Sequence, residues 1–208
     1  MLPLSAAVYD WYTGFTMRIL LIDNGTRGLE ALLALCDKHD VTTIVPGQLE
    51  STATAGFDSL ILAGSYDQKP VWEQQYFMPQ AALVQENEKP VLGIGLGFEL
   101  ICYTYGCQLH EVAGRQAAAT KLTPSDDGAK LFQGTDPLVV SDAPRWNVDD
   151  LPKALVVLAS SESGVEAVRH KTKPVYGLQL LPADFKYGSD AKMVYQNILE
   201  TFRRIIEA

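Results

Sequence analysis

The chain is poor in the residues that most often carry metal and nucleophilic chemistry. It has three cysteines, Cys36, Cys102 and Cys107, and three histidines, His39, His110 and His170. Three cysteines make no even disulfide framework and show no ligand spacing, so reduced thiols in a cytoplasmic protein are expected. No two histidines stand at ligand spacing, which argues against a zinc site; no metal and no cofactor are expected. Basic residues are also scarce, 17 Lys and Arg against 25 Asp and Glu, for a net charge of −8. Without a basic cluster to neutralise phosphates, nucleic acid is not an expected partner. No apolar run approaches the roughly 18 residues that a membrane span needs, so no membrane association is expected either. Residues 1–16, MLPLSAAVYDWYTGFT, lack the basic start and sustained apolar core of a signal peptide. They read as an N-terminal extension ahead of Met17, with Trp11, Tyr12 and Phe15 available to pack on the domain that follows.

What the sequence does have is a series of short apolar runs closed by turn residues. RILLID (Arg18 to Asp23) ends at Asn24-Gly25, and leucines 29, 32, 33 and 35 follow at near-helical spacing. VTTIVP (Val41 to Pro46) and DSLILAG (Asp58 to Gly64) read as further strands. A polar, aromatic stretch then leads to a helical pattern through Ala81–Val84, which Pro90 stops. PVLGIG is the next strand, and LGFELICYTYG presents Leu96, Leu100, Ile101 and Tyr105 on one helical face. Continuous apolar strands alternating with helices indicate an α/β fold with a mostly parallel open sheet covered on both faces.

The second half changes character. Pro137 to Asp142, Ala154 to Ser160, Gly164 to His170 and Pro174 to Leu180 are short β-like runs, read as a mostly antiparallel extension of the sheet. A last helix over about residues 191–206 carries Val194, Ile198, Phe202 and Ile206 at a spacing of four. No boundary interrupts residues 17–208, which are expected to form one domain.

One junction has the form of a nucleophile elbow. In KPVLGIGLGFELICYTYGC (Lys89 to Cys107) a strand meets a helix at a glycine-rich turn, where backbone and substrate approach closely and the helix N-terminus lends N–H donors. Gly93, Gly95 and Gly97 supply the smallness, though any tight strand-turn-helix can use glycine this way. Together with AVRHKTKPVYGLQLLPAD (Ala167 to Asp184), this stretch resembles class I, triad-type glutamine amidotransferases. Their elbow runs proline, apolar, apolar, glycine, apolar, cysteine, apolar, glycine, histidine, glutamine. Their last motif ends glycine, apolar, glutamine, phenylalanine, histidine, proline, glutamate. RILLIDNG and DSLILAGS fall where that family has its first strand and its oxyanion-side loop. SSESGVEAVRHKTKPVYGLQ and KLFQG (Lys130 to Gly134) are closest to the glutaminase domain or subunit of GMP synthase. The resemblance spans about residues 17–205 and implies a flavodoxin-like form of the α/β sheet.

The family attacks the glutamine amide with an elbow cysteine, activated by a histidine that a carboxylate orients. Here the resemblance places Gly95 at the nucleophile, Leu181 at the histidine and Ala183 at the carboxylate, and Phe98 and Glu99 replace the histidine and glutamine after the elbow. In a comparable protease triad, loss of the nucleophile alone costs about 10⁶-fold in turnover. Substitutes are poor. Cys102 lies two helical turns beyond the elbow, roughly 10 Å away, where core packing is its ordinary use. Cys107 and His110 are three apart on an extended run and face opposite sides. Asp184 would have no imidazole to orient, and Ser65 has no base.

Two outcomes stay open at this level. In the first, the chain is a glutamine amidotransferase-like pseudoenzyme that serves as a binding, regulatory or partner subunit. A pocket at Gly64, Ser65, Gly95, Leu96, Phe98 and Glu99 would then hold a small-molecule ligand, or be filled by Phe98, Leu180 and Leu181. In the second, it is an active glutamine-hydrolysing amidotransferase of the GMP synthase type using unconventional residues. Glu99 suits the helix N-terminus as a dipole-complementing carboxylate as well as it suits a ligand. The aromatics Tyr66, Trp72, Tyr76 and Phe77 form either a contact surface or a fold-back over the sheet; in the resembled family this edge faces the pocket, and the glutaminase docks on a synthetase that consumes its ammonia.

Overall fold

A computed structural model of the chain describes residues 15–64, 70–71, 75–112, 118–133, 139–142, 146–148, 151–180 and 190–208. The first strand, β1 (Arg18–Asn24), is apolar from Ile19 to Ile22 because both of its faces are covered. Helix α1 (Leu29–Leu35) follows, then β2 (Asp40–Ile44), β3 (Ser59–Gly64), α2 (Met78–Glu86), β4 (Val91–Gly95) and α3 (Leu96–Thr104). The pairings β1–β2, β1–β3 and β3–β4 are all parallel. The sheet order therefore begins β2-β1-β3-β4. The connection reverses direction between β1 and β3, and ligand crevices of open α/β sheets form outside the strand ends at such a switch.

Alternate residues of the central strands feed separate cores. Met17, Ile19 and Leu21 pack with Leu32 and Cys36, and with Val194, Ile198 and Phe202 of the last helix, α4 (Asp190–Glu207). Leu20, Ile22, Leu60 and Leu62 pack with Val84 of α2 and Leu96, Leu100 and Ile101 of α3. The sheet is thus sandwiched by α1 and α4 on one face and α2 and α3 on the other, as the sequence pattern implies. At the sheet's lower edge, the Arg18 guanidinium forks onto the Asp58 carboxylate, with Nη2–Oδ1 at 2.7 Å and Nε–Oδ2 at 3.2 Å.

The second half forms the expected mostly antiparallel extension of the sheet, with one run outside it. Its strands are β5 (Leu109–Glu111), β6 (Ala118–Lys121), β7 (Thr123–Pro124), β8 (Val139–Asp142), β9 (Trp146–Val148), β10 (Leu155–Ser161), β11 (Gly164–His170) and β12 (Val175–Leu178). The antiparallel part of the main sheet is β12-β11-β10-β7, but β12 itself runs parallel to β4. The run at Pro137 to Asp142 does not join that sheet; β8 pairs with β6 in a two-stranded ribbon, and β5 with β9 in another. Local alternation marks a strand but not its partner, so these pairings are not legible from the pattern.

Candidate functional site

The parallel register sets three strand ends side by side. Asn24 of β1 lies opposite Gly64 of β3, and Gly64 opposite Gly95 of β4. On the other side of β4, Ile94 pairs with Leu178, so β12 also ends beside the elbow. Gly95 sits at the N-cap of α3 with φ 57° and ψ −111°, a conformation that costs a side-chain-bearing residue strain. The bent backbone of a nucleophile elbow is therefore present, with a hydrogen atom at its tip.

The neighbouring glycines are dictated by contact. A Cβ on Gly97 would lie 1.9 Å from the carbonyl oxygen of Leu62, and one on Gly93 would lie 2.4 Å from the carbonyl oxygen of Gly97. Helix α3 thus rests directly on β3 and β4. A Cβ on Gly64 would meet Leu96 Cβ at 2.9 Å, closing the gap between strand end and helix start.

The expected site residues divide into several environments. Leu96 is buried among the α2-side core, whereas Phe98 packs with Cys102, Cys107, Val148, Leu155 and Val168 in a third cluster. A Cβ on Gly177 of β12 would meet the Phe98 ring at 3.0 Å, so glycine there makes room for the ring. Leu180 belongs to the α1/α4 core, and its carbonyl accepts a hydrogen bond from the Tyr195 hydroxyl. Glu99 is 1% exposed in the first turn of α3. Ser65, Tyr66, Trp72, Leu181, Ala183, Asp184 and the side chain of Tyr76 lie outside the described residues; Phe77 is buried in the α2-side core.

Two histidines are at the wrong end of the sheet for a catalytic base. His39 precedes β2, where its Nδ1 accepts the Met17 N–H at 3.5 Å, level with the start of β1. His170 ends β11 at the level where β12 begins, because Arg169 pairs with Tyr176. Val175 in turn pairs with Val91, four strand residues below Gly95, a separation of about 13 Å along the sheet. The His170 ring rests on Tyr105, with centroids 4.7 Å apart. His110 is exposed on β5 opposite Asn147, and Cys107 is buried, so the two face apart as their odd spacing implies.

The thiols are all free and buried. Burial and the nearby Asp37 push Cys36 up to about 12. Burial, a hydrogen bond with Cys107 and the Glu99 charge hold Cys102 well above the usual thiol range. That same hydrogen bond draws Cys107 below it. Among the described residues, no cluster of three or more His, Cys, Asp or Glu could hold a metal ion, and no helix is long and apolar enough to cross a membrane.

Sequence reasoning missed the buried polar groups around these strand ends. The Asn24 and Gln80 amides bond reciprocally, Asn24 Nδ2 to Gln80 Oε1 at 3.1 Å and Gln80 Nε2 to Asn24 Oδ1 at 2.7 Å. Gln179 is buried after β12 and donates from Nε2 to the carbonyls of Trp146 (3.2 Å) and Val165 (3.4 Å). Glu166, buried in β11, accepts the Ser161 hydroxyl at 2.6 Å. The available signal was a charged residue inside an apolar run, GVEAVRH, which marks an inward polar contact without naming its partner.

The family model for Glutamine amidotransferase class-I matches residues 20–199. Among curated relatives, a glutamine-hydrolyzing GMP synthase subunit of Thermoplasma volcanium is 25% identical over 185 residues, 88% of this chain and 91% of that protein. The protein of the same name from Methanococcus maripaludis (strain C5) is 34% identical over 174 residues, 79% of this chain and 86% of its own length. Among solved structures, one from Thermoplasma acidophilum superposes with a TM-score of 0.77 at 20% identity, covering 93% of this chain and 99% of the other. A glutamine amidotransferase from Thermotoga maritima does so with a TM-score of 0.70 at 14% identity, covering 93% and 100%. Parallel sheet, elbow backbone and a family match over most of the chain agree: the protein belongs to the class-I glutamine amidotransferases.

Proposed function

We propose that this chain is an amidotransferase-fold protein that has lost glutamine hydrolysis and serves in binding, in regulation or as the partner of another enzyme. The observation that carries the proposal is Gly95. The backbone bends where the family presents its thiol, yet no side chain stands at the bend. Leu181 and Ala183, at the histidine and carboxylate positions of the resemblance, agree with that loss. Residues 17–208 act as the amidotransferase-like domain and residues 1–16 as an extension to it. The relatives named as subunits of glutamine-hydrolyzing GMP synthase support a synthetase or a comparable enzyme as the protein partner. A small-molecule ligand would bind over the strand ends at Gly64, Ser65, Gly95 and Leu96, with Phe98 and Glu99 behind.

An active enzyme would need another nucleophile, and Cys102 and Cys107 are the candidates on the elbow helix and its cap. Cys102 is wholly buried and its thiol is held protonated, which leaves it a weak nucleophile. The test is ammonia release from glutamine by the purified chain, alone and mixed with a synthetase. No release above the protein-free control is expected in either case. Turnover abolished by Cys102→Ala or Cys107→Ala would overturn the proposal.

A further inference from the structure

We infer that Cys102 and Cys107 are a site of reversible oxidation, closing to an intrachain disulfide at the C-terminal cap of α3. The sequence CYTYGC builds this pair locally. Five residues of uninterrupted helix rise about 7.5 Å, beyond the roughly 7 Å between Cα atoms that a disulfide tolerates. Gly106, with φ 91°, reverses the chain instead. Its N–H donates to the Tyr103 carbonyl at 2.9 Å, and the Cys107 N–H reaches back to the Cys102 carbonyl at 2.9 Å. This bond pattern is a Schellman cap, in which the side chains of the two outer residues are brought into contact. Those positions usually hold an apolar pair; here both are cysteine.

The two thiols share one buried cluster with Phe98, Val148, Leu155 and Val168, and each shifts the other's titration. They are not equivalent. Cys102 is fully buried, while Cys107 is 5% exposed and flanked by the exposed Gly106 and Gln108. A Cβ on Gly106 would meet nothing within 4 Å, so the approach to the cap is open on that side. The neighbouring Cys102 thiol favours the thiolate of Cys107, making the more accessible sulfur also the better nucleophile. Cys36 lies in a different core, between α1 and α4, and is held protonated by burial.

With a peroxide as oxidant, the Cys107 thiolate attacks one peroxide oxygen. The O–O bond breaks, Cys107 becomes a sulfenic acid, and the departing hydroxide or alkoxide takes up a proton. The Cys102 sulfur then displaces hydroxide from the Cys107 sulfur, and its own proton leaves with that hydroxide as water. Two thiols lose two electrons, and the peroxide is reduced to water and, where it is organic, an alcohol. The disulfide would fasten the end of the helix whose start forms the elbow at Gly95, so the modification acts on the element that shapes the candidate site.

The test is hydrogen peroxide treatment of the full chain, followed by thiol counting and peptide mapping. Titratable thiols should fall from three to one, with Cys36 the survivor and the peptide carrying Cys102 and Cys107 lighter by two hydrogens. Cys36→Ser should leave this loss intact, and Cys107→Ser should abolish it. At a fixed glutathione ratio, the folded protein should hold the Cys102–Cys107 disulfide at least about 10-fold more than the guanidinium-denatured chain. Equal occupancy in both states, a disulfide to Cys36, or Cys107 sulfinic acid beside a reduced Cys102 would each overturn the assignment.

Discussion

Gly64 stands directly across the β3–β4 ladder from Gly95, so the tips of two adjacent strands meet without a side chain between them. Their reasons for being glycine differ. At Gly64 the space is taken, since a Cβ would lie 2.9 Å from Leu96 Cβ. At Gly95 the backbone conformation is the constraint, with φ 57°.

Gly95→Ala should therefore destabilise the fold through backbone strain alone, by about 1–3 kcal/mol, read from urea denaturation. Gly95→Cys should carry the same cost. Combined with Leu181→His and Ala183→Glu, it should restore measurable ammonia release from glutamine, because the elbow backbone that presents the thiol is already bent. A well-folded triple variant without turnover would mean that the site has been reshaped beyond these three positions.

Gly97→Ala should cost more than Gly47→Ala. The added methyl at residue 97 would meet the Leu62 carbonyl oxygen at 1.9 Å, whereas at residue 47 nothing lies within 4 Å. Forcing α3 off the sheet should cost about 1–3 kcal/mol or more. The exposed Gly47 substitution should change the denaturation midpoint little or raise it slightly.

The Asn24–Gln80 amide pair should behave as a coupled unit. Asn24→Ala leaves the buried Gln80 amide without its reciprocal bonds, at a cost of about 1–3 kcal/mol. Replacing both residues with leucine should cost less than the sum of the single changes. A double-mutant cycle on unfolding free energies reads the difference.

Stability should decline as pH falls below about 6.5, the ordinary histidine value. Burial lowers His39 against the opposing pull of Asp37, and burial and Lys173 lower His170. For a base with a depressed folded pKa, the unfolded chain binds the proton first, so stability is present above 6.5 and lost as pH falls toward the folded value. Both rings also accept backbone N–H groups at Nδ1, from Met17 for His39 and from Thr172 and Lys173 for His170, and protonation removes that acceptor. Thermal melts between pH 7.5 and 5 should show a steeper fall for the wild-type chain than for His39→Asn/His170→Asn.

The elbow is legible because it is local: strand, glycine turn and helix all lie within Pro90 to Gly106. The cap pairing Cys102 with Cys107 is equally local, yet in sequence it looks like an ordinary helix end. An apolar pair and a thiol pair satisfy the same geometry, and the hydrogen bonds that fix it are invisible in composition. The buried amides of Asn24, Gln80 and Gln179 escape notice for a different reason. Each meets a partner on another element, and neither propensity nor periodicity specifies which.

The sequence by itself determined the parallel α/β core, the bend at Gly95 and the lack of a side chain there. Those features follow from side-chain periodicity and glycine sterics over a few residues. Only the tertiary structure decided that β12 would lie parallel beside β4, and that His39 and His170 would stand at the opposite end of the sheet from the elbow. Long-range strand pairing is chosen by which register buries the most apolar surface on both faces at once, a property of the whole sheet and of no single segment.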